Sequence, residues 1–339
     1  MPAPPPLALQ LKADCRTKGN IVANVSHKRA LVTGGAGFIG SHVVQHLVED
    51  GWHVRVLDNL STGTESNLSE VAACIELLRG DIRDQNDVRR ACESVDVVFH
   101  LAAYISVPGS VAEPETADDV NIRGTLNMLL CAREAKVRRV VFSSSAAVYG
   151  EPATLPVPED APTRPASPYG LEKLYGEHMC RLFTELYGLE TVALRYFNVY
   201  GPRQNPDSEY AAVIPKFISL LLCGERATIY GDGLQTRDFL YVSDVARANL
   251  LAAGADDVQG KTLNVASGIG VSIRELHDAI TELFGRQTTP RYAPPRPGDV
   301  RHSVASIRQA QNLLGFRPAI SLMAGLRSTA DWLSSRSGC

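Results

Sequence analysis

The stretch TGGAGFIG, from Thr33 to Gly40, restricts what this chain can fold into more than any other part of it. Its glycines at 34, 37 and 40 keep a three-residue pitch. On its own that pitch is weak evidence. Here it follows a β-branched run, ALVTG (30–34), and opens a helical run, FIGSHVVQHLVEDG (38–51). A strand, a tight glycine turn and a helix in direct succession form the first unit of a dinucleotide-binding sheet. Gly34 and Gly37 permit the turn and the close approach of a pyrophosphate, whose charge meets the free amides of the helix N-terminus. Gly40 lets the helix lie against the sheet.

The rest of the chain repeats this alternation. HVRVLD (53–58), CIELLRGD (74–81), VDVVFHLAA (95–103), VRRVVFSSS (137–145) and TVALRYF (191–197) read as strands, with long helical patterns at 118–135 and 168–187. Valine-rich strands flanked by helices predict a parallel α/β sheet of Rossmann type, covered on both faces. After Phe197 the pattern loosens. Helices are expected at 213–223, from Ser243, near 272–284 and at 321–335, with strands near Thr228–Tyr230 and at 261–265. The proline-rich APPRPGD (293–299) is expected to be a binding or bridging loop. The expected organisation is an extension over 1–28, a nucleotide domain over 29–198 and a smaller substrate lobe over 199–335, with the chain crossing back near 235–265.

Composition excludes several functions. With 34 basic and 37 acidic residues the formal charge is -3, which makes no general case for a nucleic-acid partner. No run approaches the roughly 18–20 apolar residues of a membrane span. The first 26 residues lack the apolar core and cleavage site of a signal peptide. The seven cysteines, Cys15, Cys74, Cys92, Cys131, Cys180, Cys223 and Cys339, are scattered and show no Cys-x-x-Cys pair. That predicts no metal site, mostly free thiols, and a reducing, cytoplasmic setting.

Chemistry-bearing residues fall at strand ends. Asp58 closes the second strand, 18 residues past Gly40. A carboxylate there accepts from both adenosine ribose hydroxyls and repels a 2′-phosphate, favouring NAD over NADP. Asp81 follows the third strand and is placed to meet the adenine edge. Tyr169 and Lys173 are four apart in SPYGLEK and share a helix face, with Ser167 as cap and Pro168 in the first turn. A phenol near pKa 10 is a poor base at neutral pH, but a nearby ammonium and a positive nicotinamide both favour its phenolate. Ser143, Ser144 and Ser145 end a strand where such sheets bind ligands. Ser145 is the candidate donor to the reacting oxygen, and capping is expected of at least one of the three. His100, inside a strand, is expected to be structural.

These motifs, with LDNLSTG, GDIRD, DVNIRGTLN, SSSAAVYG and RYFNVYGPRQNP in the same order, resemble the extended short-chain dehydrogenase/reductase family over about residues 29–335, and within it the nucleotide-sugar 4-epimerases. The resemblance implies a tightly held NAD, a UDP-sugar in the C-terminal lobe, and a homodimer built on a four-helix contact. It implies that Gly34, Phe38, Ile39 and Gly40 cradle the pyrophosphate. Asn59, Ser61, Thr62 and Gly63 would join Asp58 at the adenosine ribose and phosphate, and Ile82 would join Asp81 at the adenine. Leu101, Ala102 and Ala103 would wall the cofactor channel, with Ser143 and Tyr196 toward the nicotinamide. For the sugar nucleotide it implies Asn198, Val213, Lys216, Tyr230, Arg237, Arg296 and Asp299, the two arginines gripping the diphosphate in forked geometry. Ser106, Ser144 and Gln204 are candidate acyl contacts.

The implied reaction has Tyr169 take the proton of the sugar 4-hydroxyl while C4 gives hydride to NAD. The resulting 4-ketone turns its other face and takes the hydride back, so C4 inverts with no net redox change. Ala146 and Ala147 stand where related dehydratases carry an Asp–Glu pair, which argues against loss of water. Ser303 occupies the place of a bulky tyrosine in hexose-restricted relatives. The room it leaves predicts interconversion of UDP-N-acetylglucosamine and UDP-N-acetylgalactosamine, with UDP-glucose/UDP-galactose or UDP-hexuronate turnover as alternatives. A non-catalytic NAD-sensing role would suit a chain lacking Tyr169 or Lys173, and both are present.

Overall fold

The computed structural model describes residues 28–206, 212–285, 288–295 and 300–336. Seven parallel strands make the main sheet: β1 (Arg29–Thr33), β2 (His53–Asp58), β3 (Ile75–Arg79), β4 (Val97–His100), β5 (Arg139–Ser145), β6 (Glu190–Tyr196) and β7 (Lys261–Val265). Their spatial order is 7-6-5-4-1-2-3. Val32 of β1 lies opposite Val56 of β2 on one side and Phe99 of β4 on the other. The strand order reverses between β1 and β4, which opens a crevice above their C-terminal ends.

Eleven helices carry numbers here: α1 (Phe38–Glu49), α2 (Gln85–Cys92), α3 (Val107–Ala112), α4 (Pro114–Asp118), α5 (Gly124–Glu134), α6 (Pro168–Tyr187), α7 (Val213–Leu222), α8 (Val242–Gly254), α9 (Ile273–Leu283), α10 (Arg308–Leu314) and α11 (Leu322–Ser334). Apolar residues of α1, α8 and α10 (Val43, Leu47, Val245, Ala252, Leu314) form one core cluster with one face of the sheet. Those of α2, α5 and α6 (Val88, Met128, Ala132, Phe183) form a second cluster with the other face. The Rossmann-type sheet with both faces covered is thus as expected from the valine-rich strands.

The helix expected at 168–187 spans those residues, with the Ser167 hydroxyl accepting from the Gly170 N–H and Gly188 closing it at φ +71°. The 118–135 pattern is broken into α4, a π-helical turn at Asp119–Arg123 and α5. β7, the strand expected at 261–265, completes the main sheet beside β6 through Leu263 opposite Leu194. Arg139, 2% exposed, starts β5 and binds the carbonyls of Ala252, Ala253 and Ala255 at the end of α8, as well as Glu190. A guanidinium there satisfies carbonyls that the helix leaves without partners.

The C-terminal lobe packs α7, α9 and α11 around Ile214, Phe217, Leu276, Ile280 and Leu326. A three-stranded sheet sits beside them, with Thr236–Asp238 between Gly270–Ser272 and His302–Ser303. Among the described residues no helix is long and apolar enough to cross a membrane, and no acidic, histidine and cysteine cluster could hold a metal. The cysteines depart in part from expectation. Cys92, Cys131 and Cys180 are free and buried, whereas Cys74 and Cys223 each take part in a disulfide, which spacing could not reveal because it depends on tertiary approach.

Candidate active site

A cavity of about 390 Å³ occupies the crevice above β1 and β4. Its floor is the glycine loop. Gly34 adopts φ +68°, and a Cβ there would lie 2.8 Å from the Ala102 backbone nitrogen, so neither the turn nor the approach to β4 tolerates a side chain. The Asp58 carboxylate, 7% exposed, accepts from the Ala36 N–H at 2.9 Å and the Leu60 N–H at 2.8 Å. It is therefore held against the glycine loop with acceptor capacity left toward the cavity, as a ribose diol requires.

The cavity brings together Gly34, Gly37, Phe38, Ile39, Gly40, Asp58, Asn59, Ser61, Thr62, Asp81, Ile82, Leu101, Ala102, Ala103, Ser143, Tyr169, Lys173 and Tyr196. Gly63 is not in the wall. A Cβ on it would meet the Ala36 backbone at 2.7 Å, so it brings the Asn59–Gly63 loop against the glycine loop. Asn59 donates to Asp81 at 2.8 Å, and Arg83 binds both Asp81 oxygens, lowering that carboxyl to about 2. Asp81 is thus a carboxylate whose oxygens are largely engaged, beside the adenine end. The donor set fits NAD: free amides at a helix start, an anchored carboxylate for the ribose, and an apolar slot of Ile82, Leu101 and Ala102.

Two wall networks were not legible beforehand. Thr33 Oγ1 accepts from the Ala102 N–H and meets His100 Nδ1 at 2.8 Å, while His100 Nε2 lies 3.2 Å from Thr125 Oγ1. Burial lowers His100 to about 3, so the ring is neutral and structural, as its strand position suggested. Asn121, in the π-turn, binds both the N–H and the carbonyl of Tyr104 and donates to Glu172 at 2.6 Å. It thereby fixes Tyr104 and Ile105, which join the wall just past HLAA.

At the other end of the cavity, Lys173 is 4% exposed and donates from Nζ to the Ser143 carbonyl at 2.9 Å. Its ammonium sits 5.9 Å from the Tyr169 ring centroid, and burial lowers it to about 8. Tyr169 is half-buried on the cavity, its backbone N–H bound by the Ser110 hydroxyl at 3.1 Å. Burial raises its phenol, opposed by a hydrogen bond with Ser145. Desolvation outweighs that hydrogen bond, and the depression expected from Lys173 is not among the influences on the phenol in the protein alone.

The serines divide their work. Ser145 lies outside the wall and also caps the next turn by accepting from the Ala147 N–H at 3.2 Å. Ser106 lines the cavity but caps α3 through the Gly109 N–H, and Ser144 donates to Glu177 at 2.5 Å. Glu177 binds Arg195 through both carboxylate oxygens at 2.8 Å, and Arg195 reaches Tyr149, which donates to Asn264. Glu177 stands four residues past Lys173 on α6, the only hint of this network that the sequence carried.

The substrate candidates lie across the lobe. Asn198 is exposed and donates to the Asp238 carbonyl at 3.2 Å. Gln204 donates to the Val199 carbonyl and keeps its side-chain oxygen buried without a partner. Val213 and Lys216 sit in the first turn of α7, half-buried and exposed. Tyr230 lines a second cavity with Asp232, Gln235 and Arg301. Arg237 and Ser303 are paired across adjacent strands of the three-stranded sheet. Arg296 and Asp299 lie outside the described residues.

The profile of the NAD dependent epimerase/dehydratase family matches residues 30–266. A putative UDP-glucose 4-epimerase of Methanocaldococcus jannaschii is 44% identical over 90% of this chain and 98% of its own. Among solved structures, a UDP-N-acetylglucosamine 4-epimerase from Methanobrevibacter ruminantium M1, in complex with UDP-N-acetylmuramic acid, superposes with a TM-score of 0.88 at 42% identity, over 92% of this chain and 100% of that one. A UDP-glucose 4-epimerase of Thermotoga maritima with UDP-glucose gives 0.86 at 40% identity, over 91% and 99%. The chain belongs to the NAD dependent epimerase/dehydratase family. It is an enzyme of the epimerase kind, and NAD is its cofactor.

Proposed function

We propose that this enzyme inverts C4 of a UDP-hexose, with UDP-glucose and UDP-galactose as the reading its relatives favour. The observation that carries it is the meeting of Tyr169, Lys173, Ser143 and Ser144 on the wall of a cavity shaped for NAD, with Ser145 hydrogen-bonded to Tyr169 just behind that wall. NAD, when bound, supplies the hydride acceptor that makes C4 reversibly trigonal. Tyr169 takes and returns the proton of the 4-hydroxyl, and Ser145 steadies that oxygen. Lys173, held by the Ser143 carbonyl, supplies the ammonium that favours the phenolate. Asn198 and Arg237, together with Arg296 and Asp299, hold the UDP portion while the hexose turns. Ala146 and Ala147 follow Ser145 and carry no proton, which supports epimerisation over dehydration.

The M. jannaschii and T. maritima relatives bear UDP-glucose in their names, and both match nearly the whole chain. A second reading, UDP-N-acetylglucosamine and UDP-N-acetylgalactosamine, is favoured by Ser303 and by the M. ruminantium relative. A roomy pocket rejects a smaller sugar weakly, so hexose turnover accords with both. As a quaternary state we propose a homodimer through a four-helix contact that includes α6, on which Leu171 and Leu186 are 58% and 66% exposed.

Purified protein incubated without added nicotinamide, separately with UDP-glucose, UDP-N-acetylglucosamine and UDP-glucuronic acid, tests the reading by NMR of the products. Conversion of UDP-glucose to its C4 epimer supports it. An accumulating keto or dehydrated product, or no reaction on UDP-glucose, overturns it.

A further inference from the structure

The Asp238 side chain is fully buried, yet no step above uses it. One carboxylate oxygen accepts from the Ser267 N–H at 2.7 Å and the Ser267 hydroxyl at 2.6 Å. The other accepts from the Gly268 N–H at 3.0 Å and the Ala305 N–H at 3.2 Å. The Asp238 backbone carbonyl accepts from the Asn198 side chain, and Asp238 directly follows Arg237 on the central strand of the small sheet. Three segments distant in sequence therefore converge on one residue. They are the end of the main sheet at Asn198, the turn after β7 at Ser267–Gly268, and Ala305, two residues past Ser303. A buried carboxylate with four donors from two segments is a rigid junction, since each donor loses its partner if the charge is removed.

We propose that Asp238 is the positioning residue for the substrate end of the site, holding Arg237, Asn198 and Ser303 in one fixed relation. The proposal rests on the reading that these three face the UDP-sugar. Glutamine or asparagine chemistry cannot replace the carboxylate. An amide in its place accepts on one side only and sets its NH2 against N–H donors on the other, so Asp238→Asn releases either the Ser267 turn or the Ala305 segment. Asp238, Arg237, Asn198 and Ser303 are all absent from the wall of the cofactor cavity, so the cofactor contacts do not pass through this junction.

The test compares Asp238→Asn, Ser267→Ala and Arg237→Gln with the parent in three measurements: KM for UDP-glucose against kcat, Kd for UDP by calorimetry, and NAD retained through purification. Ser267→Ala removes one of the four bonds at a half-exposed position and keeps the fold testable if Asp238→Asn is poorly made. Expected are a tenfold or larger rise in KM and UDP Kd for Asp238→Asn, a twofold to fivefold rise for Ser267→Ala, kcat within threefold, and full NAD content. If Arg237→Gln raises UDP Kd while both junction variants leave it within a factor of 1.5, the positioning role is wrong and the substrate reading stands. If Arg237→Gln leaves UDP Kd unchanged, the substrate reading fails and takes the proposal with it. Equal loss of kcat, UDP binding and NAD in the junction variants would make Asp238 a folding residue only, which also overturns the proposal.

Discussion

Replacing Glu177 by leucine should destabilise the protein far more than replacing Glu177 and Arg195 together. The two side chains are 4% and 6% exposed and share two 2.8 Å hydrogen bonds between β6 and α6. In the single variant the Arg195 guanidinium stays buried with only the Tyr149 oxygen and the Glu159 carbonyl as partners. Stranding one charge of a buried pair costs about 3–5 kcal/mol, whereas exchanging both for apolar groups of similar volume is about neutral. At roughly 2 °C per kcal/mol for a chain of this size, Glu177→Leu should lower Tm by about 6–10 °C. Urea unfolding followed by circular dichroism and by tryptophan fluorescence would give the free energies, coincident transitions validating the two-state treatment. The cycle with Arg195→Leu and the double variant would give the coupling. A loss below about 1 kcal/mol for Glu177→Leu, or single losses that simply add, would refute a charge pair isolated from water.

Tyr169→Phe should lower kcat by about 10²–10⁴ while UDP affinity stays within a few-fold, and an unchanged kcat would remove the phenol from the chemistry. Ser303→Tyr should abolish turnover of the N-acetylated substrate while UDP-glucose turnover persists, and equal loss on both would dismiss the size gate. Gly34→Ala places a methyl against the Ala102 backbone at a φ of +68°, so NAD should be lost on purification, as bound-nucleotide absorbance would show. Burial lowers Lys173 to about 8, below its ordinary 10.5 in the unfolded chain. The penalty for a buried ammonium is then complete below pH 8 and fades as pH rises to 10.5. In nucleotide-free protein, the stability of Lys173→Met relative to the parent should therefore fall by up to about 3 kcal/mol across that window in urea titrations, and a pH-independent difference would contradict it.

The cofactor half was legible because its determinants are local. A glycine that must turn left-handed, a carboxylate ending a strand, and a tyrosine and lysine one helical turn apart are visible from spacing alone. What surrounds them was not. Asn121 grips the Tyr104 backbone from 17 residues away, and Ser110 reaches the Tyr169 N–H across 59. Neither residue type announces such a bond, since asparagine and serine serve at every turn and cap. The serines illustrate the same limit. Of three hydroxyls in a row the sequence singles out Ser145, but spacing does not show that β5 sends Ser144 to Glu177 and leaves Ser145 to both Tyr169 and the Ala147 N–H.

From the chain's own order of residues came the sheet, its helical cover and the cofactor class, because strand periodicity, glycine conformation and helix capping act over a few neighbouring residues. Only the packed molecule decided how the phenol titrates, which hydroxyls are already engaged, and that Asp238 joins Asn198 to segments from beyond residue 260. Desolvation and long-range hydrogen bonds depend on what the folded chain brings into contact, and that contact does not exist until the three segments meet.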